Sequence, residues 1–181
     1  MKIVVIGASY GGLYALMELL GALPTDFPAP VVVVQHRAPD PDDSRLAIVL
    51  GRYSALPVSD AHDKQPLEPG HVYLGPADYH VLVEDDHLVL SLDEPVRFSR
   101  PSVDVLFESA AAAYGPEVVA VLLTGFGQDG GTGIAAVRAA GGVTIVQEPS
   151  SAAKDQMPLA GIAAGAAEVL TLDEIATRLA A

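Results

Sequence analysis

Lys2-Ile3-Val4-Val5-Ile6-Gly7-Ala8-Ser9-Tyr10-Gly11-Gly12 is the stretch on which the fold turns. Ile3 to Ile6 is apolar and rich in β-branched side chains, the composition of a strand covered on both faces. The strand is expected to stop at Gly7, which puts Ser9 at the tip of a tight turn. Beyond Gly11 and Gly12, the residues Leu13, Leu16, Met17 and Leu20 recur at helical spacing. Strand, sharp turn and helix together expose a serine hydroxyl at the carboxyl end of a sheet. Gly7-Ala8-Ser9-Tyr10-Gly11 fits G-x-S-x-G, the nucleophile elbow. It also approaches the dinucleotide fingerprint G-x-G-x-x-G, but Ser9 stands where the second glycine must admit a pyrophosphate. A glycine-rich turn that only joins strand to helix is the plainer third reading.

Working outward, 181 residues that are 50% hydrophobic suit a single domain with a sizeable core. The formal net charge of −13 argues against nucleic acid and against an anionic membrane surface, since both need positive charge. The chain has no cysteine, which excludes disulfides, thiolate metal sites and a cysteine nucleophile, and is compatible with a reducing cytosol. No signal peptide is visible, and no segment reaches the ~18 uninterrupted apolar residues of a membrane span. The expected location is the cytoplasm.

The next strand is Val31-Val32-Val33-Val34-Gln35-His36, after a Pro-containing connection. Strand, helix and strand imply a parallel pair whose ends share one edge of the sheet. Ser9 and His36 both fall at that edge. A short helix is expected over 44–50, capped by Asp42, Asp43 or Ser44. Val72-Tyr73-Leu74, His80 to Val83 and Leu88 to Leu90 read as short strands, the last two joined by a hairpin turn at Glu84 to His87. They suggest an antiparallel excursion. Ser102 to Tyr114 reads as a helix with Ser102 as N-cap and Asp104 in the first turn. Val118 to Leu123 is the most hydrophobic strand and runs into a second glycine-rich loop, Thr124-Gly125-Phe126-Gly127-Gln128-Asp129-Gly130. A helix over 134–140, a strand over 143–146, a loop and helix over 150–164 and a strand over 168–170 follow. Thr171-Leu172-Asp173-Glu174 matches a capping box that opens a terminal helix. The expected architecture is α/β: a doubly wound, mostly parallel sheet, helices on both faces, and an antiparallel hairpin excursion.

Ser9, His36 and Asp129 thus stand at strand ends of one sheet, where open α/β sheets place their sites. Each alone has a plainer explanation: a turn serine, a histidine satisfied by backbone, an aspartate capping a helix. Together they are the three types a hydrolytic triad needs. A serine hydroxyl needs a base during attack, and an imidazole suits that role near neutral pH. The imidazole in turn needs a carboxylate to fix its tautomer and stabilise its charged form. The oxyanion needs preorganised backbone donors. The N–H of Tyr10 follows the nucleophile, and the Gly125-Phe126-Gly127 loop is the source of a second.

Gly7-Ala8-Ser9-x-Gly11-Gly12, Gln35-His36, Pro101-Ser102-Val103-Asp104-Val105-Leu106-Phe107, Leu123-Thr124-Gly125-x-Gly127-x-Asp129-Gly130 and Met157-Pro158 resemble the catalytic domain of the chemotaxis receptor methylesterases. The match is ordered and covers essentially the whole chain. The resemblance implies hydrolysis of glutamyl methyl esters on the cytoplasmic helices of chemoreceptors, with deamidation of receptor glutamines as a side activity. It carries over Ser9 as nucleophile, His36 as base, Asp129 as orienting acid, and the N–H groups of Tyr10 and Phe126 as oxyanion donors. It implies no cofactor and no metal. Tyr10 stands where the family has threonine or another small residue, and Phe126 where it has methionine; both aromatic side chains face the cleft. The usual family member also carries an N-terminal receiver domain that controls the cleft. Residues 1–181 read as one catalytic domain without a receiver domain, either free-standing and served by a separate regulatory receiver protein, or part of a longer protein.

The remaining polar residues point elsewhere. His62, His71, His80 and His87 lack metal spacing and read as surface or local hydrogen-bonding residues. Asp40, Asp42 and Asp43 read as a solvated acidic loop rather than a calcium site. Arg97 and Arg100 suit either solvation or an acidic receptor helix. Two rival functions stay open at this level. One is a binding module of the same fold whose cleft Tyr10 and Phe126 fill. The other is a dinucleotide-binding oxidoreductase, for which Asp26 is the roughly placed acidic residue.

Overall fold

A computed structural model describes residues 1–38 and 45–181. The strands are β1 (Ile3–Ala8), β2 (Val31–Gln35), β3 (Val58–Asp60), β4 (Val72–Leu74), β5 (His80–Glu84), β6 (His87–Ser91), β7 (Val118–Leu122), β8 (Val143–Gln147) and β9 (Glu168–Leu170). The helices are α1 (Gly12–Gly21), α2 (Arg45–Gly51), α3 (Val103–Tyr114), α4 (Gly131–Ala139), α5 (Gln156–Ala163) and α6 (Leu172–Ala180). Seven strands form one sheet in the order β3-β4-β2-β1-β7-β8-β9, and every pairing in it is parallel.

The strand residues explain the layering. In β1, Val4, Ile6 and Ala8 join one buried cluster while Ile3 and Val5 join the other. β2 divides the same way, with Val31 and Val33 on one face and Val32 and Val34 on the other. This is the period-two alternation of a pleated strand. One face is covered by α1 and α6 through Leu16, Leu19, Leu20, Ile175 and Leu179. The other is covered by α3 and α4 through Leu106, Phe107, Ile134 and Val137. An isolated helix as short as α1, 10 residues, is marginal in water. Three fully buried leucines, each contributing about 1.5–3 kcal/mol, hold it on the sheet.

Several expectations need adjusting. Val72–Leu74 is not part of the antiparallel excursion: it pairs in parallel with β2, Val31 opposite Val72, and with β3. Among the described strands only β5 and β6 pair antiparallel, and they form a separate two-stranded sheet packed on α3. β3 gives no periodic signal because it is a three-residue edge strand, none of it fully buried. The expected helix α2 is present from Arg45 onward; its candidate caps Asp42, Asp43 and Ser44, and the Asp40 cluster, lie outside the described residues. Ser102 caps α3, and Thr171 with Glu174 forms the capping box of α6. No helix among the described residues is long and apolar enough to cross a membrane.

The chain leaves β1 toward β2 on one side and returns to β7 on the other. β1 is therefore the switch point of the sheet, and a crevice opens beyond its carboxyl end. Register does the rest. Ala8 lies opposite Gln35 and Gly7 opposite Leu122, so Ser9 emerges level with His36 on one side and with Thr124, two residues past Leu122, on the other.

Candidate active site

Ser9 is held at the crevice by backbone on both sides. Its N–H donates to Thr124 O at 2.9 Å, and its carbonyl accepts from Gly12 N at 2.8 Å and from Gln35 Nε2 at 2.8 Å. Gly11 sits at φ +80°, a conformation that closes the elbow and that side chains resist. Gly125 crosses so near the nucleophile that a Cβ on it would lie 2.7 Å from Ser9 Cβ. His36 is one residue past β2, its N–H donating to Ala8 O at 2.9 Å. Gln35 Nε2 bridges the two, donating to Ser9 O and to His36 O at 3.0 Å.

The structure brings His36 and Asp129 into contact: Nε2 lies 2.7 Å from Oδ2. Asp129 is buried, 3% exposed, and is anchored from several directions. Its Oδ2 also accepts from Val103 N at 2.7 Å, and its Oδ1 accepts from Ser102 Oγ at 2.9 Å and Asp104 N at 2.9 Å. The amino end of α3 thus points its N–H groups at the carboxylate, an arrangement that favours negative charge. Burial pushes the Asp129 carboxyl up. The bonds from His36, Asp104 and Val103 together outweigh that and leave it below its ordinary value of 3.8. An ionised Asp129 accepts a proton-bearing Nε2, which leaves Nδ1 as the ring nitrogen able to take a proton.

Ser9 and His36 line one cleft with Gln35, Tyr10, Tyr14 and Phe126. Among the described residues they form no hydrogen bond with one another; such bonds in free enzymes are often long and shorten with substrate. Neighbouring donors are spent: Gly125 N on Lys154 O at 3.0 Å and Gly127 N on Gln156 Oε1 at 2.8 Å. The N–H groups of Tyr10 and Phe126 have no acceptor among the described residues, so both remain available at the cleft. The two side chains meet edge to face, ring centres 5.3 Å apart, and Lys154 Nζ lies 4.9 Å from the Phe126 ring. They wall the cleft and leave it open.

Further polar side chains hold the site, and no local pattern marks them as part of it. Ser102 and Asp104 serve the helix start, as expected, but they also reach the site. Asp104 Oδ1 accepts from Gly130 N and Gly133 N at 2.9 and 2.8 Å, and Oδ2 accepts from Arg97 Nε at 2.9 Å. His80 is buried and receives Ser102 N on Nδ1 at 3.2 Å. Arg100 is engaged by Asp78 at 2.6 Å and by two backbone carbonyls. The signal that could have found Gln35 is a polar residue closing a run of valines, a position where burial demands partners. Among the described residues no group of three or more His, Cys, Asp or Glu could hold a metal ion. Gln35 and His36 occupy the end of β2, where the dinucleotide reading needs an acid; Asp26 lies in the α1–β2 connection.

Residues 4–179 match the protein family described as CheB methylesterase. The chain belongs to that family. Its fold is that of the crystal structure of the Thermotoga maritima CheB methylesterase catalytic domain: TM-score 0.95, 36% identity, 99% of this chain and 97% of that one covered. Among curated CheB relatives, one from Leptospira interrogans (serovar copenhageni, strain Fiocruz L1-130) is 39% identical over 175 residues, covering 96% of this chain and 90% of that protein. Protein-glutamate methylesterase/protein-glutamine glutaminase 2 of Anaeromyxobacter dehalogenans is 43% identical over 176 residues, 97% of this chain but 51% of the relative. The CheB domain accounts for about half the length of that relative and most of the Leptospira one.

Proposed function

We propose that this chain is a protein-glutamate methylesterase that acts by a Ser9–His36–Asp129 triad. The observation that carries the reading is the 2.7 Å His36–Asp129 pair at the sheet edge where Ser9 emerges. Ser9 Oγ attacks the ester carbonyl carbon while His36 Nδ1 takes its proton. Asp129 stabilises the imidazolium. The carbonyl oxygen becomes an oxyanion and receives the N–H groups of Tyr10 and Phe126. Collapse of the tetrahedral species breaks the bond to the methoxy oxygen, which leaves as methanol with the proton from His36. Water then attacks the acyl-Ser9 carbonyl, His36 takes its proton and returns it to Ser9, and the glutamate carboxylate is released. A glutamine side chain follows the same course with ammonia as leaving group, in keeping with the double name of the relatives.

The partner proposed is the methylated cytoplasmic helix of a chemoreceptor, the place of action the cytoplasm, and the regulator a receiver domain or separate receiver protein. Methanol release from a methylated chemoreceptor preparation, with Ser9→Ala beside it, tests the reading. Release that depends on Ser9 is the expected result. A folded protein that releases none is instead a binding module of this fold.

A further inference from the structure

Thr124 is 1% exposed, and a hydroxyl in such a place is costly unless every polar atom finds a partner. The partners it finds are those that carry the site. Its backbone O accepts from Ser9 N at 2.9 Å. Its Oγ1 lies 3.0 Å from Tyr10 O and 3.1 Å from Lys154 O, sharing one proton between them, and accepts from Lys154 N at 2.9 Å. Its N–H donates to Oε1 of the buried Gln147 at 2.9 Å.

The peptide that bears the Tyr10 N–H joins Ser9 to Tyr10. The group before it, Ser9 N–H, and the group after it, Tyr10 C=O, are both bonded to Thr124, so its plane is bracketed. The peptide that bears the Phe126 N–H joins Gly125 to Phe126. Its carbonyl accepts from Met157 N at 3.0 Å, and Gly125 N donates to Lys154 O at 3.0 Å. Lys154 is the residue whose N–H the Thr124 hydroxyl holds. The Thr124 hydroxyl thus reaches the backbone next to both donor-bearing peptides, through Tyr10 O on one side and through Lys154 on the other.

We propose that Thr124 is a positioning residue that aims the Tyr10 and Phe126 N–H groups at a common point. This rests on the reading of those groups as oxyanion donors. Thr124→Val keeps the shape and removes the hydroxyl, and Thr124→Ser keeps the hydroxyl. With methylated receptor as substrate, T124V is expected to lose about 10- to 100-fold in kcat with KM within about twofold, the effect of a small misplacement of catalytic groups. T124S is expected to stay within about threefold of the parent. Wild-type kcat in T124V, or equal losses in T124V and T124S, overturns the proposal. If T124V does not fold, T124A set against T124S carries the same comparison. Should the parent release no methanol, the esterase reading falls by itself. The proposal is then judged on 15N order parameters of the Tyr10 and Phe126 amides. These should fall from about 0.85 toward 0.6 when the hydroxyl is removed and hold in T124S. Unchanged order parameters overturn it.

Discussion

At the scale of single residues, the role proposed for Asp129 is to fix the tautomer of His36. Replacing the carboxylate with an amide keeps the size but offers Nε2 a donor as readily as an acceptor. Asp129→Asn should fold and lose on the order of 10³- to 10⁴-fold in methanol release; near-parental activity would reduce Asp129 to a turn residue. A different residue shows strain rather than chemistry. Arg97 and Phe98 hold φ +49° and +66° at the centre of a two-residue turn closed by the Val96–Ser99 pair. Both are conformations that favour glycine. Phe98 is fully exposed, so its side chain contributes no burial. Relief of about 1–2 kcal/mol, less about 0.5–1 for glycine's backbone entropy, predicts a net gain for Phe98→Gly centred on about 0.75 kcal/mol and no larger than about 1.5. Urea denaturation would read it as a raised midpoint with an unchanged slope.

Among the elements, α3 does more than cover the sheet. Its first turn aims N–H groups at Asp129, while Asp104, in the same turn, takes the N–H groups of Gly130 and Gly133 where α4 begins. Each helix start thus completes the other. Removing the Asp104 carboxylate leaves the buried Gly133 N–H without its acceptor, and leaves Gly130 N–H only Asp129 Oδ1 at 3.0 Å and Arg97 only Thr132 Oγ1 at 3.0 Å. Asp104→Ala should therefore cost about 2–4 kcal/mol of stability, read by denaturant unfolding, and Asp104→Asn, which keeps one oxygen, distinctly less. The start of α3 was legible in Ser102 and Asp104 because capping is local chemistry. Its contact with Asp129, more than 20 positions away, was not. Likewise β5 and β6 announced their hairpin, since Glu84 to His87 is a local turn, whereas β4 concealed its parallel pairing with β2. A three-residue strand carries no mark of the partner it will choose.

For the molecule as a whole, the site is a property of a sheet covered on both faces. The acid side of its stability follows from Asp129. Its folded carboxyl lies below 3.8, so it contributes stability above its unfolded value, and that contribution fades as pH falls through the folded one. The thermal midpoint of the parent should therefore fall more steeply than that of Asp129→Asn below about pH 4; parallel curves would sink the assignment. The sequence by itself determined the buried strands, their order of appearance, and which residues sit at their carboxyl ends. These depend on the side-chain period and on covalent neighbours: Ser9 follows Ala8 whatever the fold. It also brought the family resemblance into view through motifs that are contiguous. Only the tertiary structure decided that β1 lies between β2 and β7, that Asp129 is cradled by α3, and that Thr124 bonds the backbone of Ser9, Tyr10 and Lys154. Those facts are contacts between segments far apart in the chain. Their energies depend on which surfaces meet once both faces of the sheet are covered, and no local pattern encodes that.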